Sequence, residues 1–131
     1  MEDFERIPEK ICTILLVDWP NPDIPRSLVL AGFTVFSYSP DGYNQVLTEM
    51  TQTGKRPLVH FKPVDHPLNS VDLVTIYRPP EEHAAIIRDH VLPLGAKTIW
   101  LQTPVESAET RKIAHEQGLN FIEGRDIREI I

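Results

Sequence analysis

Residues 13–40 set the terms on which this chain can fold. Ile14, Leu15, Leu16 and Val17 form an unbroken apolar run, the pattern of a strand covered on both faces. The next residues, Asp18, Trp19, Pro20, Asn21, Pro22 and Asp23, cannot continue that strand. Two prolines lack N–H donors, and Asn and Asp favour turns. Residues from Pro25 to Ala31 suit a short helix closed by Gly32, and Thr34 to Tyr38 return as a second strand. The pattern predicts a βαβ unit, and the first turn of such a unit is where these folds hold an anionic ligand.

The chain has 131 residues, enough for one domain with a sizeable core. No apolar run approaches the roughly 20 residues that span a bilayer. The amino terminus, Met1 to Arg6, is acidic and lacks an apolar signal segment, so a cytoplasmic location without membrane contact is expected. A single cysteine, Cys12, excludes an internal disulfide and a multi-cysteine zinc site. The formal net charge of −6, with no block of Lys or Arg, argues against a nucleic-acid partner. An anionic small ligand would depend on local donors. Twelve prolines fall mostly at turns and predict stiff loops.

Beyond the βαβ unit, Met1 to Lys10 reads as a lead-in and residues 39–42 as a turn. Tyr43 to Met50 is ambiguous: Val46, Leu47 and Met50 match a helix face, whereas the β-branched and aromatic neighbours permit a strand. With a tip at Thr53 to Arg56 and a strand at Leu58 to Phe61, a hairpin excursion over 43–62 is favoured. His66 to Ser70 is a loop. Val71 to Tyr77 is a buried strand ended by Arg78, Pro79 and Pro80. Glu81 and Glu82 open a helix whose Ala84, Ile87, Val91 and Leu94 should face the sheet, with Pro93 and Gly95 ending it. Thr98 to Gln102 is the next strand. The following helix has two candidate caps, Thr103 with Pro104 and Glu106, or Ser107 one turn later, and stops at Gly118. Asn120 to Glu123 is a last strand and Arg125 to Ile131 a short, helix-compatible tail. The alternation predicts a single three-layer α/β domain with a mainly parallel sheet. Its ligand edge should gather Asp18 to Arg26, Tyr77 to Pro80 and Gln102 to Glu106.

Chemistry is sparse along this edge. No G-x-G-x-x-G follows the first strand, and Thr53-Gly54-Lys55 lacks the first glycine and the Ser/Thr of a P-loop. Five histidines form no metal-binding spacing, and His83, His90 and His115 read as residues of solvated helix faces. Cys12 reads as a small packed hydrophobe and not as a reactive thiolate. Asp18 and Asp23 suit turn-forming and capping as well as they suit an acid/base pair. Trp19 could stack on a flat ligand or plug the rim of the sheet. Arg26 and Arg78 could each meet a phosphate with two parallel hydrogen bonds, or serve as surface ion-pair partners. Nothing specifies a reaction, so an enzyme is not expected.

The segment order resembles the CoA-binding domain family, which includes the amino-terminal domain of succinyl-CoA ligase alpha chains and small stand-alone bacterial proteins. The matching pieces are Ile14 to Val17, Leu30 to Val35, Ser39-Pro40, Val71 to Pro80, Gly95 to Gln102 and Ala114 to Ile122. Gly95-Ala96-Lys97 followed by Trp100 and Gln102 is the most specific of them. The resemblance implies a Rossmann-like domain holding coenzyme A across the strand ends. It implies that Trp19, Pro20 and Asn21 lie near the pyrophosphate and Ser39 and Pro40 near the adenosine. Tyr77, Arg78 and Pro79 would flank the nucleotide, and Gln102 and Thr103 would approach the pantetheine. The implied role is non-catalytic binding of CoA, acyl-CoA or a related nucleotide. The short, acidic and proline-stiffened first loop keeps an alternative open: a degenerate nucleotide fold serving as a protein-interaction module or homodimer without CoA.

Overall fold

A computed structural model describes residues 11–40, 43–53, 56–64 and 68–131. The lead-in before Ile11, the turn at Asp41 and Gly42, the expected hairpin tip at Gly54 and Lys55, and His66 and Pro67 lie outside the described residues. The elements are β1 (Thr13–Val17), α1 (Asp23–Leu30), β2 (Thr34–Ser39), β3 (Tyr43–Thr53), β4 (Arg56–Pro63) and β5 (Leu73–Ile76). Next come α2 (His83–Ile86), β6 (Thr98–Gln102), α3 (Ala108–Glu116) and β7 (Asn120–Arg125). A 3₁₀ turn (Pro80–Glu82) leads into α2, a π turn (Ile87–Val91) follows it, and a second 3₁₀ turn (Ile127–Ile130) follows β7.

The seven strands form one sheet in the order β4-β3-β2-β1-β5-β6-β7. β2, β1, β5, β6 and β7 pair in parallel, while β3 runs antiparallel to both of its neighbours. The ambiguous stretch after Gly42 is therefore a strand, and the expected hairpin forms the sheet's outer edge. β1 sits mid-sheet, which is why its apolar run is continuous: Leu15 and Val17 face one layer, and Ile14 and Leu16 face the other. The first layer holds Ile86, Ile87, Val91, Leu94 and Ala114 from α2, the π turn and α3. The second holds Ile24, Leu28 and Val29 of α1 together with Trp100 and Ile127. The doubly covered parallel sheet predicted from the sequence is thus present.

Polar groups fix its two rims. At the amino-terminal rim, Asp72 Oδ2 accepts the N–H groups of Cys12 and Thr13, each at 2.9 Å, tying the approach to β5 to the start of β1. Cys12 is exposed there, not packed as its sequence position suggested. At the carboxyl rim, the fully buried Trp100 donates its indole N–H to the carbonyl of Arg125 at 2.9 Å. The register of β6 against β7 slips at this point, so Glu123 and Gly124 both lie between the pairs Trp100–Ile122 and Gln102–Arg125. Gly124 adopts φ +73° within this bulge.

The helix after β5 departs from the expected face. Ile87, Val91 and Leu94 are buried as predicted, but Ala84 is exposed and His83 takes the buried position. A π turn follows, in which Leu92 N–H reaches back five residues to Ile87 at 3.0 Å. Pro93, with no N–H to give, stands just beyond it. Of the two candidate caps for α3, Ser107 is used: its Oγ accepts Thr110 N–H at 3.1 Å. Thr103–Pro104 is a cis peptide, and Val105 N–H donates to Gln102 at 2.9 Å, so these residues form a turn before the helix.

Trp100→Phe removes the indole donor and shrinks a fully enclosed ring. The expected cost is about 1–3 kcal/mol in urea unfolding, with an unchanged far-UV spectrum.

Candidate functional site

Where strand order reverses, between β1 and β5, a parallel sheet opens a crevice at its carboxyl edge. Here that point is bridged. Asp18 turns sharply off β1 at φ +63°, a left-handed conformation that Asp tolerates better than most residues. Its N–H donates to Tyr38 at 2.7 Å, and its Oδ1 accepts Trp19 N–H at 3.0 Å. Its Oδ2 lies 3.1 Å from Arg78 Nη1. Arg78 also holds Glu82, with Nη2 at 2.8 Å and Nε at 3.0 Å from its carboxylate oxygens. The Arg78 side chain is only 16% exposed. One guanidinium thus ties the β1 loop, the β5 loop and the turn before α2 into a single knot, and its charge is spent on two carboxylates.

The first loop is likewise occupied with itself. Asn21 Oδ1 accepts Asp23 N–H at 3.0 Å, and Asn21 O accepts Ile24 N–H at 3.3 Å. Pro20, Pro22 and Pro25 have no N–H to offer. The amides of Asp18, Trp19, Asp23 and Ile24 are therefore used, and Pro20 and Pro22 between them have none. Trp19 is half-buried against the α1-side core, as a plug of the rim. Arg26 is exposed on α1.

Space opens to either side of the knot. A cleft of about 400 Å³ lies between the β5 and β6 ends. Tyr77, Arg78, Pro79 and Pro80 line one side, and Pro104, Val105 and Glu106 the other. A second cleft of about 330 Å³ lies beyond β2, lined by Tyr38 and Pro40 and, from the α2 region, by Glu81, Glu82, Asp89 and His90 among others. The Tyr38 and His90 rings are 5.0 Å apart. Burial lowers the His90 pKa, against the opposing pull of Asp89.

The sequence-derived site residues divide accordingly. Tyr77, Arg78 and Pro79 line the larger cleft and Pro40 the smaller. Ser39 is buried at the end of β2, and Trp19, Pro20, Asn21 and Arg26 line neither cleft. Gln102 is 2% exposed, and its Oε1 accepts Ile127 N–H at 2.7 Å, so its side chain serves the carboxyl-terminal turn. Thr103 is half-buried, with its N–H on the Arg125 carbonyl at 3.2 Å.

His83, expected on a solvated helix face, is a site residue that no sequence signal marks. It is 1% exposed and ties the Arg78 side of the larger cleft to α3. Its Nε2 lies 2.8 Å from the Arg78 carbonyl, which can only accept, so this nitrogen carries a proton. Nδ1 lies 2.8 Å from Thr110 Oγ1, which in turn lies 2.9 Å from Ser107 Oγ. Desolvation lowers the His83 pKa, outweighing the Arg78 hydrogen bond and the charges of Glu82 and Glu81. The ring is therefore neutral at neutral pH, with its proton on Nε2. Among the described residues no three His, Cys, Asp or Glu side chains form a metal-binding group, and no helix is long and apolar enough to cross a membrane.

The chain matches the CoA binding domain family over residues 20–127 and belongs to that family. Its fold is also that of several solved structures. A Thermus thermophilus protein, 17% identical, aligns with a TM-score of 0.65 over 99% of this chain and 96% of its own. A hypothetical protein of Pyrococcus horikoshii, 20% identical, gives 0.62 over 98% and 87%. A conserved hypothetical protein of Pyrococcus furiosus, 23% identical, gives 0.62 over 92% and 99%. No curated protein matches the chain.

The lowered His83 pKa makes stability depend on pH. Below the usual value of about 6.5 the unfolded chain binds a proton that the folded chain resists. This contribution is complete above that pH and is lost as pH falls towards the folded pKa. Between pH 7 and 5, His83→Gln should therefore flatten the fall of unfolding free energy, by at most about 1.4 kcal/mol per pH unit. Urea titrations at several pH values read the slope separately from any uniform loss of stability.

Proposed function

We propose that this domain binds coenzyme A or an acyl-CoA and performs no chemistry on it. The family match over residues 20–127 is the observation that carries this reading. The paired clefts support it, because an elongated ligand needs two compartments along one edge. In this reading the adenosine rests against Tyr38 and Pro40, and the pantetheine arm enters between Tyr77, Pro79, Pro80, Pro104 and Val105. A purely binding role is supported by the larger cleft's lining, which pairs no nucleophile with a base. Its nearest imidazole, His83, has both nitrogens engaged in holding the walls.

A second reading, an interaction module without CoA, is favoured by one observation: the Asp18–Arg78–Glu82 knot across the switch point leaves no free guanidinium there for a diphosphate. Native mass spectrometry of freshly purified protein separates the two, since it reports bound ligand and assembly state together. A ligand-free dimer supports the second.

CoA should raise the melting temperature in a dose-dependent way, reaching about 2.7 kcal/mol of stabilisation at a hundred times Kd. Tyr77→Ala should weaken the response several-fold. A flat melting temperature up to millimolar CoA removes the first reading.

A further inference from the structure

Resting on the CoA-binding reading, we infer that the cleft between the β5 and β6 ends selects uncharged acyl-pantetheine arms and turns away acyl groups that end in a carboxylate, with Glu106 as the discriminating side chain. The one cation among the described residues lining this cleft is already engaged inside the protein. Arg78 is held by Asp18 and Glu82. Two donors at the amino-terminal end of α3 go to internal acceptors: Ser107 N–H donates to Glu123 Oε1 at 2.9 Å, and Thr110 N–H to Ser107 Oγ at 3.1 Å. Arg111 closes an ion pair with the other oxygen of Glu123. Among the described residues that line the cleft, a ligand carboxylate therefore meets no unpaired cation.

It does meet Glu106. This residue lines the cleft and is exposed. Its Oε1 lies over the β7 bulge, where a Cβ added to Gly124 would come within 3.1 Å of it. The glycine thus leaves room for the carboxylate at the cleft's wall. Apart from this charge and Arg78, the lining is proline, valine and tyrosine. Such a surface suits a neutral thioester arm and repels a second carboxylate. Two like charges about 5 Å apart at a wet protein surface, with an effective dielectric of about 40–80, correspond to roughly a four- to twentyfold penalty, reduced by salt.

Butyryl-CoA and succinyl-CoA have acyl groups of equal carbon count and differ in the terminal carboxylate, so their dissociation constants test the inference by calorimetry on the full chain at low ionic strength. Butyryl-CoA should bind about tenfold more tightly. Glu106→Gln should shrink that ratio at least threefold, and added salt should shrink it in the unaltered protein. Glu116→Gln, the same charge change at the far end of α3, should leave the ratio in place. Equal affinities for the two thioesters, or a ratio untouched by Glu106→Gln, would overturn the inference while leaving CoA binding intact. Failure of free CoA itself to bind would instead remove the functional reading and the inference with it.

Discussion

Arg78 is the junction on which the carboxyl edge depends. A parallel sheet covered on both faces can present function only where its strands end. At that edge Arg78 joins three elements through Asp18 and Glu82, and its own carbonyl receives the His83 proton. Without the guanidinium, two carboxylates would face each other half-buried, and the loop from Tyr77 to Pro80 would lose its tie to β1. Such a partly buried pair adds little net stability, because desolvation offsets attraction. What it adds is position: it closes the crevice at the reversal of strand order and sets the neighbouring cleft one strand further along.

This arrangement has an electrostatic consequence. A ligand with several phosphates is usually met by free amides at a helix start and by unpaired arginines. Here prolines remove three amides from the first loop, Asn21 occupies others, and Asp18 and Asp23 add negative charge. The cation at this edge, Arg78, is paired with the chain's own carboxylates. In the coenzyme A reading, binding would come from apolar contact in the clefts, with the charged middle of the ligand left in water. A protein of net charge −6 gains nothing from long-range attraction to an anion.

The architecture was legible because it rests on local patterns. The run Ile14 to Val17, the turn chemistry after it, and the strands around Val74 and Trp100 each declare themselves within a few residues. The cleft's segments, Tyr77 to Pro80 and the stretch up to Glu106, followed from topology. The misreadings share another cause: each depended on a partner far along the chain. His83 looked solvated because Thr110, 27 residues away, is invisible to helical periodicity. That buried histidine displaced Ala84 from the sheet-facing row. Gln102 looked like a ligand contact because its partner, the Ile127 amide, lies 25 residues on. Arg78 carried two readings, and only the fold shows that Asp18, 60 residues earlier, settles it as an ion pair. Ser107 and not Thr103 caps α3, because a turn closed by Val105 N–H on the Gln102 carbonyl precedes the helix.

The twelve prolines take on a meaning from where three of them fall. Pro79, Pro80 and Pro104 stand on the two walls of the larger cleft, and His83 with Thr110 braces those walls from behind. Proline holds its φ near −65° before any ligand arrives, so the walls lose little freedom when one binds. A cleft with few charge contacts to offer gains most from such pre-organisation, because the ordering cost it avoids is affinity it need not recover elsewhere. Stiff walls also cannot move aside to bury a misplaced charge. Around a cleft whose one cation among the described lining residues, Arg78, is turned inward, rigidity and the inferred selectivity for uncharged groups therefore have the same origin.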